Sequence, residues 1–140
     1  MQDSKKNCSI DEIKLRLAPL CSDNDLQLVF LFGSVASGRA NRQSDIDLAF
    51  LFDESVDLLE LTNRVITLLQ TDRVDVIDLR RASPLLTFVG AKEGILLFER
   101  TPGLFHSFSS LAFRRYMDTK KMRDAQGRAI EQFIEEKGLR

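Results

Sequence analysis

Residues 29–50, Val-Phe-Leu-Phe-Gly-Ser-Val-Ala-Ser-Gly-Arg-Ala-Asn-Arg-Gln-Ser-Asp-Ile-Asp-Leu-Ala-Phe, constrain the fold of this chain more than any other stretch. A nearly continuous apolar run from Leu26 to Phe32 stops at Gly33-Ser34. A polar connection follows, and a second apolar run opens with Asp45-Ile46-Asp47. Short apolar runs closed by turn residues read as strands buried on both faces. On the second strand, expected over Asp45 to Phe52, side chains alternate. Asp45, Asp47 and Ala49 then share one face, and Ile46, Leu48 and Phe50 the other. Two like charges held a few ångströms apart are costly unless a cation stands between them. The Gly-Ser turn beside them offers backbone N–H groups and a hydroxyl to a phosphate. These parts together predict a divalent-metal site facing a triphosphate. The connection is only about a dozen residues, which leaves either pairing direction open.

The rest of the chain alternates helical and strand signals around that stretch. Ser9 opens a helix with Glu12 three residues on, as in a capping box, and Ile10, Ile13 and Leu17 fall on one face. Pro19 closes it, and Cys21 to Asp25 is a turn by composition. A short helix from Ser34 and an exposed turn are expected before Asp45. After Asp53-Glu54-Ser55 comes an amphipathic helix with Val56, Leu59, Val65, Leu68 and Leu69 as its apolar stripe. Arg73 to Leu79 reads as a third strand. Ser83-Pro84 caps a helix over about 84–92, Gly94 breaks it, and Ile95 to Phe98 is a short fourth strand. From about 105 to 137 the pattern is helical, and Gly127 leaves open a division into two helices.

At 140 residues the chain is expected to form one domain, 1–140, with a core over about 9–100 and a helical segment over about 105–137. A net charge of −1 argues against a strongly basic nucleic-acid binder, so no direct nucleic-acid binding is expected. Cys8 and Cys21 show neither zinc-site spacing nor a CxxC pair, which suits a reduced compartment. The polar N-terminus lacks the apolar centre of a signal peptide, and no run approaches the roughly 20 apolar residues of a membrane span. A cytoplasmic location is expected.

A metal pair at Asp45 and Asp47 would gain a third ligand from an adjacent strand. In Val74-Asp75-Val76 a carboxylate stands between apolar neighbours, and on a central strand it would need a partner. Asp78 lies an odd number of residues away and faces the opposite side. Asp75 is therefore the candidate, the alternative being a surface-facing carboxylate on an edge strand.

Gly33-Ser34, ten intervening residues, Asp45-Ile46-Asp47 and a later Asp75 together resemble the nucleotidyltransferase fold shared with DNA polymerase β. The resemblance implies an α/β (α+β) fold, a mixed sheet of about four strands flanked by helices, with C-terminal helices. It implies Asp45 and Asp47 bridging two Mg²⁺ ions, and Asp75 on the catalytic metal near the attacking hydroxyl. Gly33 and Ser34 would hold the β- and γ-phosphates of ATP. Arg39 and Arg42 are candidates for phosphate contact, with solvated arginines on an exposed loop as the commoner reading. Ser44 is a candidate nucleotide contact or simply a turn residue ordering the entry to the second strand. Polymerases and antibiotic-modifying members carry further acceptor-binding domains. This chain is similar instead to the minimal, MNT-type nucleotidyltransferases, antitoxins of type VII systems that pair with HEPN-domain ribonuclease toxins. Val74 to Ser83 and Arg114 to Asp118 share in that similarity. The resemblance implies a protein adenylyltransferase that moves AMP from ATP to a tyrosine hydroxyl of the cognate toxin and releases pyrophosphate. Two alternatives stay open: an antitoxin acting by binding alone, and an enzyme that nucleotidylates a small molecule or an RNA end.

In the C-terminal region, Phe105, Phe108, Phe113, Tyr116 and Met117 read either as core or as a partner-binding face. Arg114, Arg115, Lys120, Lys121 and Arg123 form a basic cluster, most simply a solvated face. His106, Cys8 and Cys21 receive no catalytic role.

Overall fold

The computed structural model describes residues 9–33 and 45–138. Ser34, Arg39, Arg42 and Ser44, with the helix expected from Ser34, lie outside the described residues, as does Cys8. In chain order the elements are α1 (Ile10–Leu17), a 3₁₀ turn (Ala18–Ser22), β1 (Leu26–Phe32), β2 (Ile46–Phe52) and α2 (Leu58–Leu69). They continue as β3 (Val74–Asp78), α3 (Pro84–Glu93), β4 (Ile95–Glu99) and α4 (Leu104–Lys137).

The four strands form one mixed sheet in the order β3-β2-β1-β4. β1 runs antiparallel to both β2 and β4, which settles the open pairing direction. β2 and β3 are parallel, and the helix α2 between them supplies the crossover such a pair requires. β3 therefore lies at the sheet edge, which is the alternative left open for Asp75 and not the central position favoured for it.

Two apolar layers cover the sheet. On one face Ile13, Leu17, Leu61, Val65 and Leu69 of α1 and α2 pack on Val29, Leu31, Leu48 and Phe50. On the other, Ala91 of α3 and Phe105 and Phe108 of α4 pack on Leu28, Phe30 and Ala49. Phe30 and Phe50 are 0% exposed, each burial stabilising by about 1.5–3 kcal/mol. The alternation expected of β2 is thus observed: Ile46, Leu48 and Phe50 face α1 and α2, and Ala49 faces α3 and α4. Between Leu26 and Leu28 the β1–β2 register shifts, so Leu26 and Leu28 point to opposite faces despite their even spacing.

The caps follow the sequence. The Ser9 hydroxyl accepts from Glu12 N at 3.1 Å, and Ser83 Oγ from Leu86 N at 3.1 Å with Pro84 at the first helical position. The Glu12 carboxylate accepts from Arg16 Nη2 at 2.7 Å. Arg16 Nη1 in turn donates to Leu69 O at the C-terminal end of α2, 3.0 Å away, a favourable place for a cation.

Two helices depart from expectation. In α2 the buried residues are Leu61, Val65 and Leu69, and Leu59 is 72% exposed. Asp57 caps the helix, accepting from Glu60 N at 3.2 Å; with that start, spacing by four selects 61, 65 and 69, and residue 59 lies about 200° from 61. Gly127 does not divide α4, which is a single helix of 34 residues. One glycine in a helix costs only about 1 kcal/mol, less than a break requires.

Candidate active site

The candidate site sits where β1 ends and β2 and β3 begin. Phe32, the last residue of β1, pairs with Asp47, and Asp47 pairs with Asp75 across the parallel β2–β3 ladder. The two carboxylates issue from neighbouring strands on the face that carries Ala49 and Ile77, beneath α3 and α4. Asp47 is partly buried, and Asp75 is exposed because β3 is an edge strand.

Gly33 fixes how close β1 comes to this pair. Its φ is +84°, in the left-handed region, and a Cβ built there would overlap Asp47 Oδ2. Glycine is required twice over, once by the backbone and once by the approach of the carboxylate.

The electrostatics bear the mark of crowded like charges. The Asp47 carboxyl is pushed up to about 6, first by burial, then by the charges of Asp75 and Asp45, and last by a side-chain hydrogen bond with Asp75. Asp45 precedes β2 and is exposed, and its Oδ1 lies 3.8 Å from Arg73 Nε. Arg73 was not picked out in the sequence. In a parallel ladder that aligns Asp47 with Asp75, position 73 falls opposite position 45, and that offset was the available signal. Ile46 N also donates to Arg73 O at 2.8 Å, which locks the two strand starts together.

Among the described residues, no three His, Cys, Asp or Glu side chains stand together as a ready metal cage. The structure brings Asp47 and Asp75 into contact and leaves Asp45 beside Arg73. Asp78 is the buried carboxylate of β3, 6% exposed, yet it is occupied by the turn that follows: Oδ1 accepts from Arg80 N at 3.0 Å and Oδ2 lies 3.9 Å from Arg81 Nε. His106 is exposed. Phe105 and Phe108 belong to the core, Tyr116 stacks on Phe88 with ring centroids 4.6 Å apart, and Phe113 and Met117 are exposed.

Residues 16–102 match the Polymerase beta nucleotidyltransferase family. The chain belongs to that family. Among curated members, it is 28% identical to protein adenylyltransferase MntA of Aphanizomenon flos-aquae over 140 aligned positions, covering 91% of this chain and 92% of that protein. Among solved structures, a toxin–antitoxin with AMP-PNP contains a chain 29% identical, with a TM-score of 0.73, covering 89% of this chain and 99% of that one. The tri-AMPylated Shewanella oneidensis HEPN toxin in complex with MNT antitoxin contains another, 27% identical with a TM-score of 0.69, covering 87% and 98%. The four-stranded mixed sheet with flanking helices is the nucleotidyltransferase fold expected from the Gly-Ser and Asp-x-Asp pattern. Among the described residues no helix is long and apolar enough to cross a membrane.

Proposed function

We propose that this nucleotidyltransferase is the antitoxin of a HEPN/MNT pair and transfers AMP from ATP to a tyrosine hydroxyl of its cognate HEPN ribonuclease toxin. The observation that carries the reading is the register of Asp47 against Asp75 with Gly33 pressed onto Asp47. That arrangement supports a reading in which carboxylate oxygens of β2 and β3 meet beside the end of β1. The names of its relatives, a protein adenylyltransferase and an antitoxin in complex with an AMPylated toxin, support the acceptor.

The residues present fit Mg²⁺. Carboxylate oxygens suit a hard cation, and the raised Asp47 marks negative charge without enough compensation. Asp45, Asp47 and Asp75 would hold two ions, Asp45 after release from Arg73. When bound, Mg²⁺ supplies charge stabilisation to the attacking and leaving oxygens. The protein's own part is positional. Gly33 and Ser34 would cradle the β- and γ-phosphates, and Ser44, Arg39 and Arg42 would be further contacts to the nucleotide. Asp75, on the exposed edge, would face the incoming tyrosine and accept its proton. The tyrosine oxygen bonds to the α-phosphorus of ATP, the bond to the β-phosphate's bridging oxygen breaks, and pyrophosphate leaves.

A neutralisation assay in cells tests this. The wild-type chain is expected to suppress the toxicity of its HEPN partner, and an Asp45→Ala, Asp47→Ala variant to fail. Full suppression by that variant would show that binding alone neutralises the toxin and would defeat the catalytic reading.

A further inference from the structure

Three carboxylates and a guanidinium meet where the parallel pair of strands begins. The register that sets Asp47 beside Asp75 continues two residues back and sets Asp45 beside Arg73. Side chains two apart on a strand share a face, so the four form one patch. Asp45 is near enough for its charge to act on Asp47. Arg73 Nε in turn lies 3.8 Å from Asp45 Oδ1. The site thus carries a cation of its own, held against a carboxylate that the proposed reaction assigns to a metal.

Main-chain bonds fix where that cation starts. The Arg73 N–H donates to Thr71 Oγ1 at 3.2 Å, and the Arg73 carbonyl accepts from Ile46 N at 2.8 Å. On residue 73 both bonds use backbone atoms, so they survive a change of its side chain. The ion pair itself is open to water. The Arg73 side chain is 49% and the Asp45 side chain 52% exposed, and a pair this exposed is weak and exchangeable. It adds little to two strands that a ladder already joins. It bears directly on cation binding, because a guanidinium does not deprotonate and Asp45 must release it to take a divalent ion. Until then, the pair offsets part of the repulsion among three crowded carboxylates.

We propose that Arg73 is a positioning residue that stands in for the metal at Asp45 in the empty site, and so weakens binding of divalent cations to the nucleotide-free chain. The proposal rests on the reading of Asp45 and Asp47 as metal ligands and not on the identity of the acceptor. Its test therefore uses the full chain and Mn²⁺ alone, without nucleotide or toxin, with free Mn²⁺ followed by electron paramagnetic resonance. Arg73→Gln and Arg73→Ala are each expected to bind Mn²⁺ about two- to five-fold more tightly than the wild-type chain, the effect of losing one exposed pair. Arg73→Lys keeps the charge and is expected to stay near wild type. Arg81→Gln removes the same charge beyond the other end of β3 and is expected to change nothing. A residue that merely braced the strands would give the opposite sign, since its loss would loosen the site and weaken Mn²⁺ binding. Weaker or unchanged binding in both Arg73→Gln and Arg73→Ala would overturn the proposal. Equal tightening by Arg73→Lys or Arg81→Gln would also overturn it, the latter by assigning the effect to net charge. Mn²⁺ binding that survives in an Asp45→Ala, Asp47→Ala variant would overturn the metal-ligand reading and the proposal with it, whatever the outcome of the transfer assay.

Discussion

At Gly33 the backbone conformation and the neighbouring carboxylate impose the same requirement, so substitution there is doubly penalised. Gly33→Ala adds a methyl group that overlaps Asp47 Oδ2 and takes a left-handed φ that alanine disfavours. A loss of about 1–3 kcal/mol in urea denaturation is expected, with Asp47 displaced and transfer activity lost. Asp47 itself should show the opposite sign. Its folded value of about 6 exceeds the unfolded carboxyl value of roughly 4, so the native state binds more protons between those limits. In Mg²⁺-free buffer this group therefore contributes a penalty that grows as pH rises through that window and is complete above about 6. Asp47→Asn removes the penalty. After discounting for solvent screening at a partly exposed site, a gain of about 1 kcal/mol is expected at pH 7.5, vanishing near pH 4. Thermal denaturation of both proteins across that range measures it, and equal curves at every pH would contradict the origin assigned to the shift.

Among the elements, the sheet was the most legible part of the sequence, for a physical reason. β1 and β2 are buried on both faces, so their apolar runs stand out whatever the alternation, and the parity of Asp47 and Ala49 survives without knowledge of neighbours. The place of β3 was not legible. Val74-Asp75-Val76 reads alike on a central and an edge strand, because pairing order depends on where the crossover helix lands. α2 misled for a local reason: six leucines and isoleucines in twelve residues offer two stripes, and only the cap at Asp57 decides between them. Leu61→Ala is therefore expected to cost about 2–4 kcal/mol, and Leu59→Ala less than about 0.5, in chemical denaturation. Gly94 gives a third test of packing. A Cβ there would lie 2.5 Å from Gly90 O and 2.7 Å from the Phe30 ring, so Gly94→Ala must displace backbone or core and lose about 1–3 kcal/mol. Asp45 was legible as a residue type but not as a partner, since its approach to Arg73 arises only from the parallel register of β2 and β3.

On the scale of the whole molecule, the two faces of the sheet divide their labour. α1 and α2 seal one face with aliphatic side chains, and the face under α3 and α4 carries Asp47 and Asp75 at its end. The carboxylates are tolerated because they stand at the rim of the sheet, where β3 is an edge and Asp75 is exposed. That same openness suits an acceptor as large as a protein side chain delivered by a partner. The most direct measurement is the mass of the purified HEPN partner after incubation with this chain, ATP and Mg²⁺. The account predicts addition of AMP to a tyrosine by the wild-type chain and none by Asp47→Asn, although that variant stays folded. An unmodified partner with the wild-type chain, or equal modification by Asp47→Asn, would contradict it.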